Sequence, residues 1–215
     1  MKITLLCSDP VHPVNEYLMR WVNEIDHQHE VSLIRSKFDA TGGDILFLIS
    51  CSEIITEKDR SKFTACLVLH ASNLPVGRGW SPHVWEIASG ATELTLSLIE
   101  ATDPVDSGNI WKQTTIPIPN HATWDEINHL LFESQIEMID FAIKNVGIIS
   151  TIAQSREVNP TYYPRRTPEN SRIDPTKSIA EQFNLLRVCD PYRYPAFFEY
   201  LGHRYTIKIE KSKND

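Results

Sequence analysis

The chain has 215 residues, of which 41% are hydrophobic, and its formal net charge is −7. This length fits one domain, or one domain with a small appendage, and the hydrophobic share is enough for a sizeable core. The negative charge gives no support for nucleic-acid binding, which usually requires a basic face. No apolar run approaches the roughly 18 residues of a membrane span, so no membrane partner is expected.

The first 100 residues alternate predicted strands with predicted helices. Apolar runs predict buried strands near residues 2–8, 31–34, 44–50 and 65–69. Residues 92–100 alternate apolar and polar side chains, which predicts a strand with one exposed face. Helical spacing or composition predicts helices near residues 15–25, 58–63 and 82–89. Such alternation is typical of an α/β fold with a mostly parallel sheet.

The remaining chain begins with a long predicted helix and changes composition near residue 155. The helix follows the capping box that Thr123 forms with Glu126. Residues 159–176 are polar and rich in proline, a helical pattern returns at 178–188, and residues 197–209 predict a β-hairpin. We therefore expect a main unit at residues 1–150 and a smaller C-terminal appendage at residues 151–215.

The four cysteines are spaced too irregularly to indicate a metal site. Cys7, Cys51, Cys66 and Cys189 form no CxxC pair, and most lie in predicted strands. Reduced, buried thiols in a cytoplasmic protein are the simplest interpretation. The N-terminal MKITLLCSD is too short for a signal peptide and predicts a first strand. No metal cofactor is expected.

Two loops contain the residue types that proton transfer requires. His70 ends the fourth predicted strand, at the sheet edge where ligands of α/β proteins usually bind. Asp106 lies in the loop TDPVDSGNI, which follows the strand at residues 92–100. Either residue alone is ordinarily structural. A histidine beside a carboxylate, however, can be oriented, charged and used to move protons.

The motifs resemble those of formyltransferases that use 10-formyltetrahydrofolate. HASNLPxxRGxxP at residues 70–82 and DPVDSGNI at 103–110 are similar to the family's Asn-x-His-Pro-Ser-Leu-Leu-Pro and Leu-Asp-Thr-Gly-Asp-Ile loops. RRTPENSRID and DPYRYPAFFEYLGHRYTIKI look like the segment after the catalytic domain in methionyl-tRNA and sugar N-formyltransferases. The resemblance covers roughly residues 50–210. It implies a Rossmann-like formyltransferase fold and, by analogy, a possible homodimer.

This resemblance implies a catalytic pair, His70 and Asp106. Protonated His70 would donate a hydrogen bond to the oxyanion of a tetrahedral intermediate, and Asp106 would orient His70 and accept the amine proton. The family's catalytic asparagine lies two residues before the histidine, where this chain has Val68. Asn73, in the following loop, is a candidate replacement for that amide; the alternative is that Asn73 only shapes the turn.

The resemblance also implies binding residues. The folate pocket would use Glu53, Ile54, Ile55, Thr102 and Asp103, although an isoleucine pair is ordinarily core packing. Arg78 would contact a phosphate or brace its loop. Two arginines, an amide and an aromatic residue of the appendage are candidates for binding a sugar nucleotide, as diphosphate or base contacts. They are Arg165, Arg166, Asn184 and Tyr192.

The net charge of the chain and the family resemblance together narrow the choice of acceptor substrate. The resemblance leaves transfer RNA, glycinamide ribonucleotide and a nucleotide-linked amino sugar as acceptors. A negative chain is a poor match for a polyanionic transfer RNA. Glycinamide ribonucleotide formyltransferases lack the RRTPENSRID-type segment, so the resemblance favours a nucleotide-linked amino sugar. The HASNLP–GRGWSP loop most resembles enzymes of the pseudaminic-acid branch. That implies the 4-amine of UDP-4-amino-4,6-dideoxy-N-acetyl-L-altrosamine, formylated for surface glycan synthesis. A dTDP- or GDP-linked 4-amino-4,6-dideoxyhexose is the second choice.

Two other classes stay open. A formyltetrahydrofolate hydrolase uses a similar histidine and aspartate with water as the nucleophile. A non-catalytic nucleotide-sugar-binding protein is suggested by Val68, which occupies the position of the expected amide.

Overall fold

The computed structural model describes residues 1–25 and 29–212, and its centre is a six-stranded sheet. The strands are β1 (Lys2–Leu6), β2 (Glu30–Ile34), β3 (Gly43–Leu48), β4 (Phe63–His70), β5 (Arg78–Gly79), β6 (Glu93–Glu100), β7 (Ile110–Pro117), β8 (Tyr162–Tyr163), β9 (Ala196–Tyr200) and β10 (His203–Ile207). The helices are α1 (Val14–Ile25), α2 (Glu57–Arg60), α3 (Pro82–Ala88), α4 (Trp124–Asn145) and α5 (Ile179–Leu186).

The sheet has the order β2-β1-β3-β4-β6-β7, with parallel pairs from β2 to β4 and antiparallel pairs from β4 to β7. The expected α/β fold with a mostly parallel sheet is therefore confirmed. Continuous apolar runs in the central strands bury both of their faces: Leu5 and Phe47 pack on one face, Leu6 and Leu46 pack on the other, and none is more than 1% exposed. The carboxyl ends of β1, β3 and β4 meet at one edge of the sheet.

One strand prediction was wrong, and one strand was missed. The alternation in β6 predicted an exposed face, but β6 lies between β4 and β7, and Leu96, Ser97, Leu98 and Ile99 are all fully buried. The second face is covered because β6 is an interior strand rather than an edge. The edge position belongs to β7, whose mixed sequence IWKQTTIP gave no clear strand signal.

Helices α1 and α4 pack together on one face of the sheet. The indole nitrogen of Trp21 in α1 donates to the Asp140 carboxylate in α4 at 2.8 Å, and Leu18 is fully buried in the same layer. The predicted capping box begins α4, since the Glu126 carboxylate accepts the backbone N–H of Thr123 at 2.9 Å. This helix therefore has a fixed start close to the sheet edge.

The C-terminal part contains the helix and the hairpin that the sequence predicted. Strands β9 and β10 pair antiparallel, and Ile173, Leu186, Cys189 and Ala196 form a small buried cluster. Strand β8 pairs with β5 in a separate two-stranded sheet, which ties this part to the loop that follows β4. The division into residues 1–150 and 151–215 stays a prediction, as does a homodimer. Among the described residues, no helix has the length and hydrophobicity needed to cross a bilayer.

Arg187 fastens α5 to the main unit, and this predicts a stability effect. Its guanidinium is 1% exposed and donates to the carbonyls of Pro119 (3.0 Å) and Ala91 (3.4 Å). Arg187→Met should lower the free energy of unfolding by about 2–3 kcal/mol, because it removes the charge-assisted hydrogen bonds from the buried Arg187 side chain to the Pro119 and Ala91 carbonyls. Urea denaturation measures the change. The exposed Arg156→Met is the control, and an equally small effect for both variants would contradict this role.

Candidate functional site

A cavity of about 780 Å³ opens at the edge where β1, β3 and β4 end. Its walls include Asp9 after β1, Ser50 after β3 and His70 at the end of β4. Helix α4 and residues of the C-terminal part form the opposite walls. Ligands of open α/β sheets bind at this edge, so the cavity is the candidate active site.

His70 and Asp106 face one another at this cavity. The Nδ1 atom of His70 lies 3.7 Å from Oδ1 of Asp106, and the two side chains are 8% and 7% exposed. The Nε2 atom of His70 lies 2.8 Å from the carbonyl oxygen of Gly77, so Nε2 holds a proton and donates it there. In the neutral ring, Nδ1 would then turn a lone pair toward the carboxylate. Only the protonated ring can donate to both partners.

The loop after β4 holds both side chains through its backbone. Gly77 accepts from His70, and the N–H of Gly79 donates to Oδ2 of Asp106 at 2.9 Å. Both glycines have φ in the left-handed region, +77° and +95°. Asp106 also has a positive φ of 59°, an unfavourable conformation for an aspartate that is common at functional sites. Two loops thus fix one carboxylate and one imidazole.

The loop that contains Asp106 reaches the site by a different route from the one expected. Strand β6 is antiparallel to β4, with His70 opposite Ser97 and Leu67 opposite Glu100. The chain therefore leaves β6 beside the middle of β4 rather than at its carboxyl end. Residues 101–109 then bring Asp106 to the cavity.

Residues 154–163 fasten both loops, a role that the sequence did not predict. The Gln154 side chain donates to the Asp106 carbonyl at 2.9 Å and accepts from the Arg78 guanidinium at 2.7 Å. The Thr161 carbonyl accepts the backbone N–H of Arg78 at 2.9 Å, and the Tyr163 carbonyl accepts that of Trp80 at 3.1 Å. These polar residues lie in a segment without periodicity, so only the three-dimensional structure reveals them.

The residues expected to bind folate all line one part of the cavity. Ile54 is 63% exposed, whereas Ile55 is 6% exposed and also packs in a hydrophobic cluster. The Glu53 carboxylate accepts from the Lys37 backbone at 2.7 Å. Thr102, Asp103 and Val68 also line the cavity, and Asp103 pairs with Arg60 at 2.6 Å.

The residues expected to bind the acceptor divide into two groups. Arg165 and Arg166 line the cavity; the Arg165 guanidinium lies 5.0 Å from the centre of the Trp80 ring, and Arg166 is 9% exposed. The other three residues, Arg78, Asn184 and Tyr192, do not line the cavity. Arg78 bonds Gln154 and so braces its loop, Asn184 accepts from Arg187 at 3.1 Å, and Tyr192 is 76% exposed.

Asn73 also lies away from the reacting pair. It is exposed, and its amide oxygen accepts from Gln113 at 3.3 Å across the loop. Because Leu74 and Ser72 fill the buried positions of this turn, the Asn73 side chain points outward. The expectation that Asn73 replaces the missing amide is not supported by this placement.

Sequence reasoning missed several cavity residues. Tyr194 and Arg193, rather than Tyr192, face the cavity, and Arg193 pairs with Asp9 at 2.7 Å. Burial and the neighbouring Arg193 lower the pKa of His12 to about 4. Burial lowers the pKa of His83 to about 3, so both rings are neutral near pH 7. In the described part of the chain, no three His, Cys, Asp or Glu side chains form a metal-binding group.

The family is shown by sequence comparison. A model of the formyl transferase family matches residues 8–140, which is more than half of the chain. The chain therefore belongs to the formyl transferase family. The match includes both His70 and Asp106.

One curated relative is methionyl-tRNA formyltransferase of Clostridium beijerinckii. It is 27% identical to this chain over 180 residues, which cover 80% of this chain and 57% of that protein. The chain thus matches little more than half of the length of this relative.

Three solved structures share the fold. Methionyl-tRNA formyltransferase from Clostridium thermocellum superimposes with a TM-score of 0.83 at 22% identity, covering 100% of this chain and 94% of that one. A 4-N formyltransferase from Francisella tularensis gives 0.71 at 18% identity, covering 99% and 98%. A sugar 3-N-formyltransferase, solved in the presence of dTDP and 5-N-formyl-THF, gives 0.66 at 16% identity, covering 87% and 78%.

The close approach at Gly79 predicts a stability effect with a matched control. A Cβ atom at Gly79 would lie 2.4 Å from the Tyr163 carbonyl oxygen, whereas one at Gly147 would meet nothing within 4 Å. Both glycines have positive φ, +95° and +83°. Gly147→Ala should therefore cost only the backbone strain, about 1 kcal/mol, while Gly79→Ala costs at least about 2 kcal/mol more. Equal unfolding free energies in urea would contradict the clash.

Proposed function

We propose that this chain is an N-formyltransferase that moves the formyl group of 10-formyltetrahydrofolate to the amine of a nucleotide-linked amino sugar. The observation on which this depends is the pairing of buried His70 with Asp106 at one large cavity. The family supports formyl transfer, and the neighbour solved with dTDP and 5-N-formyl-THF supports both substrate classes.

The reacting pair suits the requirements of formyl transfer. When bound, 10-formyltetrahydrofolate supplies the formyl group; the acceptor amine must lose a proton, and charge on the formyl oxygen must be stabilised. The 3.7 Å separation of His70 Nδ1 and Asp106 Oδ1 allows an amine nitrogen to hydrogen-bond to Oδ1 while Nδ1–H faces the formyl oxygen. Asp106 can then accept the amine proton and pass it to the tetrahydrofolate nitrogen, which leaves when its bond to the formyl carbon breaks. Because Nε2 donates to Gly77, oxyanion stabilisation by His70 uses the Nδ1–H group.

The cavity divides naturally between two substrates. Ile54, Ile55 and Thr102 contribute apolar surface to the cavity, which suits the flat ring of a folate. Elsewhere in the cavity, Arg165 and Arg166 offer two cations, one over the Trp80 ring and the other over the Tyr194 ring. A diphosphate and a nucleotide base are the groups that such a set recognises.

The acceptor best supported is UDP-4-amino-4,6-dideoxy-N-acetyl-L-altrosamine, formylated at its 4-amine. The resemblance of the loop after β4 favours this sugar, and the fold is shared with a 4-N formyltransferase. A dTDP- or GDP-linked 4-amino-4,6-dideoxyhexose is the second candidate, and dTDP in a structural neighbour favours it. The net charge of −7 disfavours transfer RNA.

The function is tested by acceptor-dependent consumption of 10-formyltetrahydrofolate, followed by absorbance. The acceptors are UDP-, dTDP- and GDP-linked 4-amino-4,6-dideoxy sugars, with initiator methionyl-tRNA and an acceptor-free reaction alongside. We expect turnover only with an amino sugar, and fastest with the UDP-linked one. Turnover without acceptor would indicate a hydrolase, turnover with the tRNA a methionyl-tRNA formyltransferase, and sugar binding without turnover a binding protein.

Substitution of the reacting pair tests its chemical role. His70→Asn and Asp106→Asn should each lower kcat by about 10²-fold or more, because each removes a proton-transfer or charge-stabilising group. Initial rates under saturating substrates measure the loss. Glu137→Gln, on the exposed face of α4, is the control. A loss below 3-fold in either variant, with unchanged unfolding free energy, would contradict the proposed roles.

Substitution of Arg165 should weaken the binding of the sugar nucleotide and leave the binding of the folate unchanged. Arg165→Ala should raise KM for the sugar nucleotide about 10-fold and leave KM for the folate unchanged, because Arg165 lies on the wall assigned to the diphosphate. Two-substrate kinetics separate the constants. Arg156→Ala serves as the matched exposed arginine. A rise in the folate KM instead would reverse the assignment of the two walls.

A further inference from the structure

His70 supplies the formyl oxygen with one hydrogen-bond donor, its Nδ1–H group, because its Nε2 atom already donates to Gly77. The oxyanion of a tetrahedral intermediate is usually stabilised by more than one donor. Val68 lies on the same face of β4 as His70, two residues earlier, but it is apolar and packs against a hydrophobic cluster. A second donor would therefore come from a neighbouring element of the fold.

Ser50 lies beside His70, at the end of the adjacent parallel strand. Strands β3 and β4 pair with Leu48 opposite Val68, and two further residues along each chain lead to Ser50 and His70. The backbones of adjacent strands are about 4.8 Å apart. Ser50 is exposed, and it lines the same cavity as His70. A molecule bound next to the reacting histidine can therefore reach Ser50.

His12 orients the Ser50 hydroxyl group. The Nδ1 atom of His12 accepts the backbone N–H of Val14 at 3.2 Å, and its Nε2 atom lies 3.2 Å from Ser50 Oγ. Burial and the neighbouring Arg193 lower the pKa of His12 to about 4, so the ring is neutral near pH 7. A neutral ring that accepts at Nδ1 holds its proton at Nε2 and donates it to Ser50. Within residues 1–25 and 29–212, the Ser50 hydroxyl makes no other hydrogen bond, so its own proton is free to be donated.

The surrounding structure holds this serine and histidine in place. The His12 ring packs on Phe132 of α4 with ring centres 5.8 Å apart, and Phe132 is 3% exposed. Ser50 has a φ of +49°, in the left-handed region that is unfavourable for a serine. Residues held in such conformations are concentrated at functional sites. Because glycine would adopt this backbone without strain, a serine here indicates that the side chain is used.

We propose that Ser50 is a catalytic residue whose hydroxyl donates a hydrogen bond to the formyl oxygen, and that His12 positions it. This inference rests on the function proposed above and assigns a second donor for the oxyanion. When the amine nitrogen bonds to the formyl carbon, the carbonyl π electron pair moves onto the formyl oxygen, which accepts from both His70 Nδ1–H and Ser50. The pair returns as the bond from carbon to the folate nitrogen breaks, and that nitrogen takes the proton from Asp106. Ser50 keeps its own proton throughout.

Ser50→Ala tests the hydroxyl while it keeps the Cβ atom and the backbone strain. The variant should lower kcat by about 10²- to 10³-fold and change KM for either substrate by less than about 3-fold, because the lost hydrogen bond strengthens in the transition state. Steady-state rates with 10-formyltetrahydrofolate and the best acceptor measure both constants. Ser52→Ala, at an exposed serine of the same cavity wall, is the control and should keep the wild-type kcat. A raised KM with unchanged kcat in Ser50→Ala would overturn the proposal.

His12→Asn tests the positioning role separately. An asparagine oxygen can accept the Val14 N–H in place of Nδ1, but the shorter side chain has no atom in place of Nε2. This variant should lower kcat by about 10-fold, the effect of losing one hydrogen bond that orients the hydroxyl. Adding it to Ser50→Ala should cause no further loss, because His12 acts through Ser50. Losses that multiply in the double variant would overturn the role of His12.

The outcomes separate this inference from the proposed function. Turnover without acceptor that is lost in Ser50→Ala would replace sugar formylation by hydrolysis, and the role of Ser50 would stand. Sugar formylation at the wild-type rate in Ser50→Ala would leave the function standing and overturn the role of Ser50. A crystal structure with 10-formyl-5,8-dideazafolate tests the placement without turnover. The formyl oxygen should lie within about 3.5 Å of Ser50 Oγ, and a distance above about 5 Å would overturn the proposal.

Discussion

The site depends on one short piece of backbone, the turn that follows β4. Its Gly77 carbonyl accepts from His70, and its Gly79 N–H donates to Asp106. His70 and Asp106 do not hydrogen-bond to each other, since Nδ1 of His70 and Oδ1 of Asp106 are 3.7 Å apart. Left-handed glycines permit the turn that aims both groups into the cavity. Preorganised backbone of this kind costs no rearrangement during reaction.

This turn is itself held from the other end of the chain. Thr161 and Tyr163 pair with it through backbone hydrogen bonds, and Gln154 connects it to the loop of Asp106. Residues 151–215 therefore do more than add binding surface beside a complete catalytic unit. They close the cavity and fix the geometry of the reacting pair. Arg165 and Arg166, the arginines that we propose bind the nucleotide, lie in the same segment, so the proposal links substrate binding to that geometry.

The sequence predicted the strands that bury two faces, the capped start of α4 and the C-terminal hairpin, because each has a local signal. It also predicted His70 and Asp106 as cavity neighbours. The sequence did not predict the features that depend on contacts between residues far apart in the chain. Nothing local shows that Asn73 turns outward or that Gln135 turns inward. The polar Gln154 lies in an aperiodic segment, and its role exists only through its partners in two distant loops.

The central claim is that two substrates enter from opposite walls and meet at His70 and Asp106. A crystal structure with 5-formyltetrahydrofolate and a UDP-linked amino sugar tests it most directly. The account predicts the pterin ring against Ile54 and Thr102, the diphosphate at Arg165, the sugar amine within hydrogen-bond distance of Asp106, and the formyl oxygen within hydrogen-bond distance of His70 Nδ1. A folate lying along Arg165, or an amine more than about 6 Å from Asp106, would contradict it.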